Sequence, residues 1–221
     1  GGGLTVILEG LVRGSSARVV EVPNAVEVPG VPAPYPVANG PLELLFVGRF
    51  AFNKGIDLLM DVARALEAGD MAGRVRFSLA GDGPLFERYR AMGLPANVRM
   101  LGRVDDEALF KLYEACHALV LPTRFEGMPT VVLETMVRAR PVMVSDVGAT
   151  AVLVDATNGY LLPKGDAMAL HDAIKQFVEM PQEHRAAMGM ASYRKASDRF
   201  AWPVVARDTL ALLREVANEA L

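Results

Sequence analysis

Short apolar runs alternate with stretches of helical spacing from residue 42 to the end of the chain. The apolar runs predict strands at residues 42–47, 75–80, 98–101, 117–121, 141–145 and 160–162. The helical spacing predicts helices at residues 56–66, 85–92, 106–115, 130–139, 166–179, 183–196 and 204–220. In the first of these helices the apolar side chains share one face, formed by Ile56, Leu59, Met60, Ala63 and Leu66. Asp105 and Asp166 stand where each can cap a following helix.

Strands separated by helices imply parallel pairing through right-handed crossovers. Most of the predicted strands are almost wholly apolar, as expected where helices cover both faces of a sheet. The sequence therefore predicts an α/β fold with a doubly wound parallel sheet, Rossmann-like in type. Such sheets bind ligands beyond the carboxyl ends of their strands, so the residues that follow strands are the candidates for a site.

Composition narrows the class of function. The chain has 221 residues, 52% of them hydrophobic, and a net charge of −3 without a long basic run, which argues against general nucleic-acid binding. Its single cysteine and three scattered histidines offer no metal-ligand spacing, so no metal or other cofactor is expected. No run approaches the ~18 apolar residues of a membrane span, and residues 4–8 resemble a signal peptide only weakly. A cytoplasmic protein is expected, with contact to the inner face of a membrane left open.

Two turns that follow predicted strands can contact phosphate groups. In the turn from Gly48 to Gly55, Arg49 and Lys54 lie five residues apart and can grip a diphosphate. The alternative is a polar loop with two solvated cations. The second turn, Gly81-Asp82-Gly83-Pro84, can admit a ligand close to its backbone, although a plain turn before a helix is the alternative.

The segment from Pro122 to Glu134 joins a predicted strand to a predicted helix. The free amides at the start of that helix favour anions. Glu126 in the loop and Glu134 in the second helical turn can both accept hydrogen bonds from sugar hydroxyls. For Glu134 the alternative is a surface acid that stabilises a helix start.

Taken in order, these segments resemble the C-terminal domain of retaining GT-B glycosyltransferases of the family-4-like group 1 type. The resemblance covers roughly residues 19–215. It consists of a Val22-Pro23-Asn24-Ala25-Val26 linker, the Gly48-Arg49 to Lys54-Gly55 element, Gly81-Asp82-Gly83-Pro84, the Glu126-x7-Glu134 signature and the Pro163–Asp166 segment.

The resemblance implies a nucleoside-diphosphate sugar as the donor and no metal. It implies that Arg49 and Lys54 bind the diphosphate, that Glu126 holds the donor sugar and that Glu134 holds the ribose. Glu126, Arg49 and Lys54 are the implied catalytic residues. The implied donor-binding set is Gly48, Gly81, Gly83, Arg103, Val104, Glu126, Gly127, Met128, Thr130, Val131 and Glu134.

Family members carry a further N-terminal domain that binds the acceptor, and the resemblance implies that almost all of it is missing here. Residues 1–24 are then its remnant with the linker, residues 25–200 the nucleotide-sugar domain, and residues 201–221 a helix crossing back. Residues 4–10 are expected to form the last strand and turn of that missing domain. An apolar stripe on the last helix is expected to face it or a second copy of the chain, through Val204, Leu210, Leu213 and Val216.

The sequence departs from the family pattern at two positions: Val152 replaces a frequent glutamate and Ala139 a frequent glycine. Three functions therefore stay open. The first is the donor domain of a glycosyltransferase with retention of configuration, inactive without its acceptor domain. The second is a catalytically inactive nucleotide-sugar-binding or regulatory module. The third, a phosphorylatable receiver, needs an acidic pocket after the first strand, where this chain has Gly48-Arg49.

Overall fold

A computed structural model describes residues 8–14 and 19–219. Within them, six parallel strands form one sheet in the order β3-β2-β1-β4-β5-β6. The strands are β1 (Leu42–Val47), β2 (Val75–Ala80), β3 (Val98–Gly102), β4 (Ala118–Leu121), β5 (Val142–Ser145) and β6 (Gly159–Leu162). The strand order reverses between β1 and β4, and this reversal opens a crevice at their carboxyl ends. The doubly wound α/β fold is thus confirmed.

Helices connect the strands and complete the chain. They are α1 (Ile56–Ala68), α2 (Phe86–Met92), α3 (Asp106–Ala115), α4 (Thr130–Met136), α5 (Thr150–Leu153), α6 (Ala167–Glu179), α7 (Gln182–Phe200) and α8 (Trp202–Glu219). A 3-10 turn over Phe52–Lys54 precedes α1. No helix of the described residues combines the length and apolarity needed to span a bilayer.

Burial on both sides explains the apolar strands. Every residue of β4 and β5 is buried, because helices cover both faces of the sheet there. The predicted apolar face of α1 is fully buried as well. Asp105 and Asp166 cap α3 and α6, since their carboxylates accept hydrogen bonds from the amides of Ala108 (2.8 Å) and Ala169 (2.9 Å).

Some predicted boundaries were wrong. Helix α4 ends at Met136 and not at 139, whereas α7 continues past 196 to Phe200, whose side chain is buried. The short α5 and the 3-10 turn were not predicted, because one helical turn carries too little periodicity to be seen. Of the strand and turn predicted at residues 4–10, residues 4–7 lie outside the described part, and residues 8–11 form a helical turn instead.

Ala139 ends the turn after α4 in a left-handed conformation, with φ at 56°. A side chain costs about 1–2 kcal/mol in this region, whereas glycine adopts it without that cost. Changing Ala139 to glycine should therefore raise the free energy of unfolding by about 0.5–1 kcal/mol, measured by urea denaturation. The same change at Ala65, exposed inside α1, should lower it by about 1 kcal/mol. Equal destabilisation of both variants would contradict the strain at Ala139.

Residues 23–41, which contain six prolines, precede β1 and pack against the domain. The buried guanidinium of Arg140 donates to the carbonyls of Ala33 (3.3 Å) and Pro34 (2.9 Å). The hydroxyl of Tyr35 donates to the carbonyl of His117 at 2.9 Å. These bonds replace the regular backbone pairing that a proline-rich chain cannot make, and they fix the segment against the domain.

The last helix exposes most of its predicted apolar stripe. Leu210, Leu213 and Val216 are exposed, whereas Val204 is half-buried. What covers this stripe stays a prediction.

Candidate functional site

The turns after β1 and β2 contact each other on the β1 side of the crevice. The amide of Phe50 donates to the carbonyl of Asp82 at 2.9 Å, and the amide of Leu85 donates to the carbonyl of Phe50 at 2.9 Å. Gly81 has a φ of 130°, and a Cβ there would lie 2.0 Å from the carbonyl oxygen of Gly48. Only glycine permits this approach, so the two predicted phosphate-contacting turns form one surface.

A cleft of about 420 Å³ opens on this surface. Six residues of the predicted site line it together: Gly48, Arg49, Gly81, Gly83, Arg103 and Val104. Arg49 is exposed, and within the described residues its guanidinium has no hydrogen-bond or ion-pair partner. Two cations, Arg49 and Arg103, and one carboxylate, Asp82, thus line the cleft beside its glycines. This excess of positive charge is suited to an anionic ligand.

Lys54 and Glu126 meet across the crevice in an ion pair between Nζ and Oε1. Their side chains are only 24% and 12% exposed, respectively. Lys54 follows β1 and Glu126 follows β4, so the pair joins the two strands at which the sheet reverses direction. A cation and a carboxylate from two of the predicted segments thus lie at one point.

Arg124 clamps the two loops that carry this pair. Its guanidinium forms a bidentate ion pair with Asp57, with both N–O distances at 2.7 Å, and donates to the carbonyl of Phe52 at 2.8 Å. It also lies 4.1 Å from the centre of the Phe52 ring. The backbone amide of Arg124 donates to the carbonyl of Asn53 at 2.8 Å. These contacts hold Lys54 within reach of Glu126.

Asp57 makes this clamp sensitive to acid. Partial burial acts to raise the pKa of the Asp57 carboxyl, but the hydrogen bonds and charge of Arg124 outweigh it and hold the pKa below its ordinary value of 3.8. A folded pKa below the unfolded one stabilises the protein above pH 3.8, and this stabilisation is lost as the pH falls through the folded value.

Changing Asp57 to asparagine should therefore lower the free energy of unfolding at pH 7 by about 1–2 kcal/mol and make its fall below pH 4 shallower. The control is the same change at Asp61 in the same helix, where the carboxylate is 73% exposed and pairs with Arg64. That variant should lose less than about 0.5 kcal/mol. Denaturant unfolding from pH 7 to pH 3 measures both, and parallel pH profiles for Asp57→Asn and the parent would contradict the assignment.

Two other segments of the chain contact the loop that carries Glu126. A Cβ on Gly148 would lie 2.1 Å from the carbonyl oxygen of Glu126, so the turn after β5 packs directly on this loop. The side-chain amide of Asn24 donates to the carbonyl of Met128 at 2.7 Å. The loop between β4 and α4 is thus held between the turn after β5 and the segment that precedes the domain.

The start of α4 completes the crevice. Pro129 precedes the helix and supplies no side-chain cap, and Thr130 is exposed. The predicted amides of Thr130 and Val131 therefore lie at an uncapped helix start next to the loop of Glu126.

Glu134 lies one turn further along α4 and is half-buried. The hydroxyl of Tyr113, on α3, donates to its Oε2 at 2.7 Å. Glu134 borders a groove that it shares with Val26, Phe110 and Trp202, whereas Arg49 lines the neighbouring cleft. The structure thus brings Lys54 and Glu126 into contact, whereas Glu134 lines a different groove.

Val152 lies in α5, and its side chain is 37% exposed. It borders a groove of about 510 Å³ together with Asn24 and Met128. Position 152, where the resemblance implies a frequent glutamate, therefore opens towards the loop that follows Glu126. In this chain the groove has an apolar side chain at that position.

Sequence patterns missed several residues of this site. Arg124, Asp57 and Tyr113 act through partners far away in the chain, and Asn24 was noticed only as part of a resemblance. The one local indication of the clamp was Arg124 itself, an arginine two residues before the predicted ligand-binding Glu126. Among the residues described, no three histidine, cysteine or acidic side chains are grouped so as to hold a metal.

The fold and the crevice define a class: a doubly wound domain whose ligand site lies at the switch point of its strand order. A family model described as glycosyl transferases group 1 matches residues 41–180. The chain belongs to this family.

Comparisons with individual proteins agree with this family. The chain is 31% identical over 209 residues to the phosphatidyl-myo-inositol mannosyltransferase of Mycobacterium leprae, covering 90% of this chain and 54% of that protein. The structure of sucrose-phosphate synthase from Thermosynechococcus elongatus matches with a TM-score of 0.76 at 24% identity, over 98% of this chain and 57% of that one. A mutant of S. aureus TarM matches with a TM-score of 0.73 at 22% identity, over 96% and 42%. The fold is that of GT-B glycosyltransferases, and the chain spans about half the length of these proteins.

Proposed function

We propose that this chain is the donor-binding domain of a glycosyltransferase that uses a nucleoside-diphosphate sugar. The observation that carries the proposal is the contact between Lys54 and Glu126 at the switch point of the sheet. Arg49, which follows the same strand as Lys54, lines a cleft with the glycines after β2. A cation that lies next to a carboxylate can serve the junction between a diphosphate and a sugar, since one part of that ligand is anionic and the other carries hydroxyls. The related S. aureus TarM was solved with UDP, which supports a nucleotide ligand.

In this proposal the diphosphate lies between Arg49, Lys54 and the start of α4. Binding of the diphosphate separates Lys54 from Glu126, and Glu126 then accepts hydrogen bonds from the donor sugar. The base lies by the backbone of Arg103 and Val104. Positive charge and helix amides stabilise the leaving diphosphate, so a divalent ion is not required.

The full-length protein would transfer the sugar with retention of configuration, with its acceptor bound by a further domain outside residues 25–200. This chain alone would bind the donor nucleotide weakly and transfer nothing. A location at the inner face of a membrane and a weak dimer through α8 remain parts of the proposal.

Calorimetric titration of the chain with UDP, GDP, ADP and their nucleosides tests the proposal, with each ligand run in EDTA and again with Mg²⁺. One nucleoside diphosphate should bind at least tenfold more tightly than its nucleoside, and EDTA should not abolish binding. The absence of binding by all three would overturn the donor-domain assignment. Dependence on Mg²⁺ would overturn only the metal-independent part.

Val152 favours a second candidate, a module that binds the nucleotide sugar without turnover. A partly exposed valine stands where the resemblance implies a frequent glutamate, in the groove that borders the Glu126 loop. Transfer or hydrolysis of the nucleotide sugar by the full-length protein would exclude this candidate. Gain of turnover in Val152→Glu, from an inactive parent that binds the nucleotide, would support it.

A further inference from the structure

Tyr113 is fully buried, and its hydroxyl reaches out of the core towards the site. The ring lies in the main apolar cluster, and the hydroxyl donates to Oε2 of Glu134 at 2.7 Å. This contact joins α3 to α4 on one side of the sheet. A buried hydroxyl needs a partner, and here that partner is one oxygen of a predicted ligand-binding carboxylate.

The hydrogen bond from Tyr113 determines which oxygen of Glu134 can accept a bond from a ligand. Burial, and then the hydrogen bond to Glu134, raise the pKa of Tyr113 far above its ordinary value of 10, so the hydroxyl keeps its proton and acts as the donor. Glu134 is half-buried, and within the described residues its Oε1 has no hydrogen-bond partner. One carboxylate oxygen is therefore anchored, and the other remains available as an acceptor.

Anchoring also limits the rotation of the carboxylate. An unanchored glutamate side chain samples several rotamers and must give up that freedom when a ligand binds. Tyr113, held by core packing, sets the orientation of Glu134 before the ligand arrives. Bonds to a vicinal diol depend on such an orientation, because both hydroxyls must find acceptor lone pairs at once.

We infer that Tyr113 is a positioning residue that holds Glu134 oriented to accept the ribose hydroxyls of the bound nucleotide. The inference rests on the proposed function, which places the ribose at Glu134. Tyr113 itself does not contact the ligand. Its contribution is specificity for ribose over a sugar that lacks the hydroxyls.

The test compares UDP with 2′,3′-dideoxyuridine diphosphate, or the matching GDP or ADP pair if that base binds best. The parent chain should bind the ribonucleotide about tenfold or more tightly than the dideoxy form. Tyr113→Phe keeps the ring and removes only the hydroxyl, and it should reduce this ratio about threefold to tenfold while leaving dideoxy affinity unchanged. Tyr193→Phe is the matched control, because its hydroxyl donates to the Pro29 carbonyl at 2.7 Å and not to Glu134. Tyr193→Phe should show the same ratio of ribonucleotide to dideoxynucleotide affinity as the parent chain.

A double-mutant cycle separates positioning from general stability. In a Glu134→Ala background, Tyr113→Phe should not change the ribose ratio further, because its only route to the ligand is gone. Thermal unfolding of each variant identifies the temperature at which all are folded, and the titrations are run below it.

Each outcome decides a different point. A parent chain that binds both nucleotides equally would overturn the ribose assignment of Glu134, and the role of Tyr113 with it. A parent that discriminates while Tyr113→Phe keeps the full ratio would overturn only the positioning role. A lower unfolding temperature of Tyr113→Phe with an unchanged ratio would mean that the bond is structural alone.

Discussion

Replacing Lys54 by alanine should weaken the binding of a nucleoside diphosphate by about 1.5–3 kcal/mol, which is roughly 10-fold to 150-fold in affinity. The variant loses a charged hydrogen bond to the diphosphate. It also leaves Glu126, only 12% exposed, without its cation and next to the anionic ligand. Both effects act in the same direction, so Lys54 should matter at least as much as Arg49.

Calorimetric titration measures this loss. Arg49→Ala should weaken binding by a similar amount, because its guanidinium lines the cleft and has no ion-pair partner among the residues that the structure describes. The matched control is Lys111→Ala, where the amine is 72% exposed and pairs with Glu107 on the surface of α3. It should bind like the parent. Equal small losses for Lys54, Arg49 and Lys111 would mean that only overall charge is being measured, and the diphosphate site would have to lie elsewhere.

The second large effect concerns the two glutamates, which should serve different ends of the donor. Glu134→Ala should weaken the binding of the free nucleoside diphosphate about tenfold or more, because its target, the ribose, is present in that ligand. Glu126→Ala should leave that affinity nearly intact. Any change should be a gain, because Lys54 is released from its ion pair.

The sugar nucleotide shows the role of Glu126. The extra affinity that the donor sugar provides should shrink in Glu126→Ala, because a lost hydrogen bond appears only when its partner is present. Titrations of both variants with the nucleoside diphosphate and with the sugar nucleotide give four affinities. Equal losses for both ligands in both variants would contradict the division of roles. If Glu134 had only a structural role, its variant would lose no affinity. It would lose about 0.3–1 kcal/mol of stability from the helix start and about 1–3 kcal/mol more from the Tyr113 hydroxyl left without its acceptor.

Local patterns of apolar residues were sufficient to predict most strands and helices of the fold. Strands buried on both faces have to be apolar along their whole length, and helices covering a sheet have to be apolar on one face. The runs at β1, β4 and β5 and the spacing in α1 therefore indicated their structures without knowledge of distant contacts. Asp105 and Asp166 were predicted as caps because a cap bonds to an amide only three residues away.

Such patterns could not predict the ends of helices that depend on contacts with residues distant in sequence. The apolar spacing continues through residue 139, yet α4 ends at Met136. The turn that follows brings the carbonyl of Ala139 against α7, so closely that a Cβ on Gly189 would lie 2.2 Å from it. The extension of α7 to Phe200 likewise follows from burial of that ring in the core.

The sequence by itself determined which residue types follow which strand: two cations after β1, glycines after β2 and two glutamates around the start of α4. Only the tertiary structure decided that Lys54 touches Glu126, that Arg124 clamps their loops through Asp57, and that Tyr113 holds Glu134. The physical reason is distance along the chain. Strand and helix periodicity arise within a few residues, whereas these contacts join positions 21 to 72 residues apart and exist only once the parallel sheet brings its carboxyl ends together.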